Sequence, residues 1–516
     1  MKKAFLMIIA SLLLCGMASA QQHYSFNLYD YENNMPVTTL IQIDGVQQTS
    51  TAIELGAFVG EEVRGSVHIG TGTVTDQAWI QVYYEESGET VSFKIYDHST
   101  ETEYTNCSTT VTTRRNGWGT ASNPVVLNFV TVQTYTLPIT PYSGENDHYY
   151  LISSPIGDVD VDDVENLTSN SFDLYYFNQS GEGDDTYQYL EWINYNQGAG
   201  QPAGFTQLLE GKGYLYANSG DDTGDDVVLT FTGTAPVPGD EGYTITLDYN
   251  ADALCPGQNL IGNPFAEEIG INRDFYVMNA DGTELEAAER DYLNPMEGAF
   301  VVASSEGETV TLSGSGSIPG DSFKLRVHGD RGCGDLAIVR FGQGQGLPKL
   351  MLNPEHTHIC FPMGDADYAV VYADNMGEMP VNFKAEKNGN YTLSFSAENV
   401  DFGYLHLIDN MNGNDVDLLA NPSYTFDART TDYVSRFKLV FATGNANDSF
   451  AFFSNGSFVI SNDGLATLQV VDVNGRILKS QTINGCASVN VNAAPGVYMI
   501  RLINGDNVKV QKVVVK

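Results

Sequence analysis

Cationic side chains are scarce in this chain: 516 residues carry 25 Lys and Arg against 65 Asp and Glu, a formal charge of −40. Nucleic acid and anionic membrane surfaces both need cationic contacts, so neither is expected as a partner. Cysteine is thin as well, at six residues. Beyond Cys15 there remain Cys107, Cys255, Cys333, Cys360 and Cys486, an odd and scattered set that excludes a disulfide-dense scaffold. Only Cys333 and Cys360 fall in one expected domain, where a bridge and a pair of small buried thiols are both open. After the first twenty residues no segment reaches the roughly twenty apolar positions of a membrane-spanning helix. Also missing are a Gly-x-Ser-x-Gly elbow, His-Glu-x-x-His, a P-loop and a strand-to-helix glycine fingerprint. Carboxylates are so abundant that no glycosidase-like pair stands out. The chain is therefore expected not to be an enzyme, with a secreted hydrolase of unrecognised site as one alternative and a purely structural surface-layer component as another.

What is present is turn and strand chemistry. The 51 Gly, 29 Tyr and 25 Phe, with few stretches of helical period, predict an all-β chain of several β-sandwich, immunoglobulin-like domains in series. The first spans 22–131, with strands expected at Tyr24 to Tyr29, Leu40 to Ile43, Glu54 to Val59, Val63 to Ile69, Trp79 to Tyr84, Val91 to Tyr96 and Val125 to Phe129. Val91, Phe93 and Ile95 alternate with polar residues, the period-two mark of a strand with one buried face. A further β-sandwich is expected over 321–443 and another over 445–516.

Between them, 134–319 contains an internal repeat, with units at about 148–235 and 257–317. Leu151-Ile-Ser-Ser-Pro-Ile-Gly matches Leu260-Ile-Gly-Asn-Pro-Phe-Ala, and Asp173-Leu-Tyr-Tyr-Phe-Asn matches Asp274-Phe-Tyr-Val-Met-Asn. Glu210-Gly-Lys-Gly-Tyr matches Met296-Glu-Gly-Ala-Phe, and each unit ends in an alternating strand and a glycine turn. Two related β units therefore sit in tandem or interlock.

Three constellations bear on binding. Asp158, Asp160 and Asp162 lie in an acidic run that continues to Glu165, with further acidic loops at 182–185 and 221–226. Clustered hard oxygen ligands suit Ca2+, although Asp163 and Ser169 occupy positions where a calcium loop needs Gly and Glu; no cofactor beyond such a Ca2+ is expected. His356-Thr-His358-Ile-Cys360 would place two imidazoles and a thiol on one face of a strand, too spread to converge on one ion. Trp118, flanked by Gly117 and Gly119 and close to Arg114 and Arg115 in the sequence, is the tryptophan expected to be exposed as a recognition surface; Trp79 and Trp192 lie in apolar runs and read as core.

The two ends concern destination. Lys2 and Lys3, the apolar stretch from Ala4 to Leu14 and Ala18-Ser19-Ala20 describe a secretory signal peptide over 1–20. At the other end, 453–516 reverses the charge bias of the chain, with Arg476, Lys479, Arg501, Lys509, Lys512 and Lys516 against Asp463, Asp472 and Asp506. There Thr467-Leu-Gln-Val-Val-Asp-Val precedes Asn474-Gly475, a spacing that predicts a type I′ turn. Pro495-Gly496-Val497-Tyr498 then opens a strand, and Val508, Val510, Val513 and Val515 alternate among lysines. Five or six short strands fit this stretch.

These residues resemble the type A C-terminal sorting domain of the type IX secretion system of Bacteroidota. The matching positions are Asn474, Gly475 and Arg476, then Pro495, Gly496 and Tyr498, then Lys509, Lys512 and Lys516. The resemblance implies recognition by the type IX machinery, passage through the periplasm to the outer cell surface or beyond, removal of the tail, and attachment to surface lipopolysaccharide. The cargo is expected to be adhesin-like or glycan-binding, with an unknown glycan or protein ligand.

Overall fold

The computed structural model describes residues 22–71, 74–142, 148–179, 191–197, 203–220, 226–253, 255–330, 334–443 and 449–516. The leader, Cys333 and most of the acidic loops at 182–185 and 221–226 lie outside them. Among the described residues the chain is all-β, with two single 3-10 turns and no α-helix. By internal contacts it divides into one unit that runs to Thr134 and takes in Thr232–Thr234, and a second of Tyr135–Phe231 and Ala235–Lys516.

The first unit is two sheets over one core. Strand Asn33–Ile43 pairs antiparallel with Ala78–Tyr84 and parallel with Val125–Phe129. In the second sheet, Ile53–Val59 lies between Glu62–His68 and Thr90–Asp97. Met35, Val37, Ile80 and Leu127 from one sheet meet Leu55 and Phe93 from the other. The strand expected at Tyr24 to Tyr29 does not form. The N–H groups of His23 and Tyr24 are taken by the Glu54 carboxylate instead of a strand, at 2.7 and 3.1 Å. Asn27 then caps a 3-10 turn over Leu28–Asp30.

The two matched segments share one sheet order and interlock. One copy orders its main sheet Tyr150–Ser153, Gly213–Asn218, Phe172–Phe177, Trp192–Asn194. The other orders Gln258–Gly262, Gly298–Val302, Tyr276–Met278, Leu285–Ala287, the same path. Even the turns correspond: Ser154 Oγ accepts from Ile156 N at 3.3 Å, and Asn263 Oδ1 from Phe265 N at 2.9 Å. The third sequence match, however, runs one residue out of register. Leu151 faces Leu215 while Leu260 faces Phe300, so Gly213 answers Gly298 and Gly211 answers Met296. The reason is steric. A Cβ at Gly213 would stand 2.4 Å from Ile261 O, and one at Gly298 3.1 Å from Ile152 O, so the small residue, and not the aromatic that follows it, fixes the alignment. Isolated bridges Ile152 to Glu297 and Ile261 to Lys212 then join the copies reciprocally.

Residues 322–443 form one eleven-stranded sheet folded on itself around Phe323, Phe361, Phe383, Leu407, Phe437 and Phe441. The fold occurs at strand His358–Met363, which pairs with Met376–Lys384 through its first half and Ala366–Ala373 through its second. A strand that changes partners in this way turns the corner of a sandwich. This domain also packs on the repeat pair: Leu336, Ile338 and Val370 share a cluster with Leu151, Leu260 and Phe300.

Candidate functional sites

The C-terminal module has seven strands, five of them between Gly464 and Lys516 and two before that stretch. Ala451–Ser454, Ser457–Ile460 and Ala487–Asn490 form one sheet; Ile477–Asn484, Leu465–Asp472, Gly496–Asn504 and Asn507–Val515 form the other. Phe458, Leu468, Val470, Ile500 and Val513 fill the space between.

The motif residues around Asp472 and Tyr498 have structural tasks. Asp472 Oδ1 accepts from Asn474 N at 3.0 Å and from Arg476 N at 2.9 Å, and Oδ2 accepts from Arg476 Nε at 3.1 Å. These bonds, first the Arg476 N–H, hold the Asp472 carboxyl below the usual carboxylate range. The turn is not type I′, because that requires positive φ at both central residues and here only Gly475 has it, at 81°. Gly475 N donates to Asp472 O at 3.0 Å, and the register shift between Val470 and Val471 marks a bulge beside it. Tyr498 is buried, packs edge-on against Phe458 and donates its hydroxyl to Ala494 O at 2.8 Å, so that the chain before Pro495 and Gly496 is tied to the core. Lys509, Lys512 and Lys516 are exposed. The valines do not all alternate inward: Val513 and Val515 are buried, whereas Val508, Val510 and Val514 lie on the outside.

The module docks on the preceding domain. Val459 closes a small apolar cluster with Ile408, Val440 and Ala442, and Ser454 Oγ and Ser461 Oγ donate to Glu378 Oε2 and Thr443 O, both at 2.6 Å.

Trp118 is not the exposed ring expected. It is half-buried against the core of the first sandwich, with the Arg114 guanidinium 3.5 Å from its ring centroid and its Nε1–H donating to Thr112 O at 2.7 Å. Its N–H donates to Pro36 O and its carbonyl accepts from Thr38 N, so the residue extends the sheet edge. Gly117 and Gly119, at φ of 67° and 73°, are required there because a Cβ would strike Pro36 O or Thr38 O.

Asp158, Asp160 and Asp162 are exposed, while Val159, Val161 and Val164 between and beyond them are buried. The three carboxylates are not gathered into a ligand group; one of them, Asp158 Oδ1, is already taken by Glu210 N at 2.7 Å. His356 lies 3.5 Å from Glu284 Oε2. Cys360 is free and buried, and desolvation pushes its thiol well up.

Sequence reasoning missed a different group. Glu54 and His68 are direct cross-strand partners, and His98 follows the strand on the other side of Glu54. Their ligand atoms all lie within 4.8 Å of one another, and no other such group occurs among the described residues. The one available signal was frequency: of only eight histidines, His23, His68 and His98 fall within the first hundred residues.

Comparison with curated proteins finds no match to this chain. Among solved structures, a chain titled "Biofilm associated protein - BSP domain" aligns over 97% of this chain and 98% of its own, at 8% identity and a TM-score of 0.14, a value too low to carry any argument. Residues 454–516 match the family described as the secretion system C-terminal sorting domain. With the Asp472 turn, the Tyr498 anchor and the lysine-bearing last strand in place, residues 454–516 are a type IX secretion sorting domain, the tail of a secreted, surface-attached protein of Bacteroidota origin.

Proposed function

We propose that residues 22–443 are a non-catalytic, glycan-binding cargo, delivered through the periplasm and fixed to surface lipopolysaccharide once the tail has been removed. The sorting domain supports the route. The observation that carries the binding role is a cleft of about 430 Å³ where the two repeat copies meet, lined by His148, Tyr149, Tyr150, Asn294, Met296 and Glu297 among others. Clefts of this size at the junction of two units are favoured ligand sites. Here the rings of His148 and Tyr150, 5.0 Å apart, lie beside amide and carboxylate groups. A sugar ring needs that combination, one flat apolar face for its C–H groups and hydrogen-bond partners for its hydroxyls. Met296 holds a left-handed backbone, φ 60°, at the wall of the cleft, and backbone in such regions clusters at binding sites.

The test is a glycan array probed with the mature chain, followed by titration of any hit against a Tyr150→Ala variant. The reading expects a bound oligosaccharide whose affinity falls at least tenfold in the variant. A folded chain that binds no glycan, or binds equally well without Tyr150, would overturn it.

A further inference from the structure

We propose that Glu54, His68 and His98 form a divalent-metal site of the zinc class in the first sandwich, with Glu54 Oε2 and the two Nε2 atoms as ligands. The geometry begins with placement. Ile53, Leu55 and Ala57 point into the sandwich core, so Glu54 belongs to the outer face of its sheet, yet it is completely buried. The N-terminal segment seals it: the Tyr24 ring lies against Gly56, where a Cβ would stand 2.7 Å from Tyr24 Cδ2. The two oxygens of Glu54 accept from the Ser66 hydroxyl, the His23 N–H and the Tyr24 N–H, and Oε2 meets His98 Nε2. The hydrogen-bond partners of Glu54 are thus hydroxyl, amide and imidazole groups. Buried charges require a compensating charge or a metal. The ion pairs of Glu54 run to His68 and His98, and no Lys or Arg pairs with it among the described residues.

A divalent metal ion supplies a compensating charge. His98 Nε2 lies 2.8 Å and His68 Nε2 3.9 Å from the same Glu54 oxygen. His68 Nδ1 faces Thr51 O at 3.0 Å. A ring N–H donated to a backbone carbonyl fixes the tautomer and frees Nε2 for a metal, the usual outer support of a ligating histidine. His23, stacked on Tyr96 at 3.7 Å and 3.8 Å from Glu103 Oε1, is turned towards a different carboxylate. Two imidazoles and one carboxylate suit Zn2+ and leave a fourth position for water, whereas Ca2+ and Mg2+ prefer sets of oxygen ligands. Both imidazoles are partly exposed, which provides an entry path.

The experiment is titration of the chelator-treated mature chain with Zn2+ and, separately, Ca2+, by calorimetry and by melting temperature. One Zn2+ per chain is expected, with a raised melting temperature and no response to Ca2+. Removing an outer partner of a metal ligand costs about 10–100-fold in affinity; His68→Ala and His98→Ala should each exceed that. Because these variants could unfold, circular dichroism and the Co2+ absorption spectrum of the wild-type chain provide a second measurement: tetrahedral Co2+ bands are expected. Absence of Zn2+ binding, equal Ca2+ binding, or Zn2+ binding unchanged in both folded variants would overturn the site and leave a hydrogen-bonded imidazole–carboxylate cluster.

Discussion

Gly211 and Met296 occupy the same place in the two copies of the repeat, and each gives its carbonyl to the other copy: Gly211 O accepts from Gly262 N, and Met296 O from Ser153 N, both at 2.9 Å. Both are left-handed, at φ of 73° and 60°. The exchange needs that backbone, which costs a side-chain-bearing residue about 1–2 kcal/mol. Gly211→Ala is therefore expected to destabilise the second unit by about that amount, with a further contribution from Tyr243, whose Cε1 would lie 3.0 Å from the new methyl group. Urea unfolding with a midpoint unchanged from wild type would show that the carbonyl exchange tolerates a side chain.

Between the repeat and the following domain lies a buried charge pair, Arg340 Nε to Asp274 Oδ1 at 2.7 Å, with Tyr372 donating its hydroxyl to Asp274 Oδ2 at 2.8 Å. Both charged side chains are at most 5% exposed. Removing one partner leaves the other charge buried and uncompensated, at a typical cost of about 3–5 kcal/mol. Arg340→Ala should show that loss, and Tyr372→Phe about 1–2 kcal/mol. A loss below about 1 kcal/mol for Arg340→Ala would mean that water reaches Asp274.

Local patterns and long-range contacts were unequally legible in the sequence. Period-two alternation and glycine turns announced strands, and the Leu-Ile-x-x-Pro match announced the repeat, because both are local patterns. The register slip at Gly213 was not legible, since the constraint is Ile261 O approaching from the other copy. Trp118 misled for a similar reason: its neighbouring glycines suggested an exposed loop, whereas they are there to admit Pro36 O and Thr38 O. Glu54, His68 and His98 are separated by 14 and 30 positions and are united only by strand pairing. The sorting motif was legible because Asp472 to Arg476 and Ala494 to Tyr498 are each held by contacts four residues apart.

Acid should reveal one local contact. At Glu308, desolvation pushes the carboxyl up, but the Ser304 hydroxyl, the Arg273 guanidinium and the Ser304 N–H prevail and bring it down to about 2. A carboxyl lowered in the folded state stabilises fully above its ordinary value, about 4.3, and loses that contribution as pH falls towards the folded value. The difference in melting temperature between wild type and Glu308→Gln should thus be largest near pH 7 and shrink between about pH 4 and pH 2. A difference independent of pH would assign the effect to shape and not to charge.

The sorting domain separates folding from address. Tyr498 is core: Tyr498→Ala removes a buried ring and its bond to Ala494 O, and should cost about 3–5 kcal/mol, enough to unfold a module of this size. Lys509, Lys512 and Lys516 are exposed, so their replacement by Gln should leave the module folded, with a stability change within about 0.5 kcal/mol. Truncation before Ser454 removes both properties and also uncovers Ile408, Val440 and Ala442, the apolar residues that Val459 covers. The truncated chain is expected to stop in the periplasm and to aggregate there more readily than the full chain. A truncated chain reaching the surface at the normal level would refute the address. The lysine variant divides the remaining possibilities: if it folds but is not exported, recognition reads charge on the last strand, and if it is exported normally, recognition reads the folded sandwich, with the Asp472 turn the next place to change.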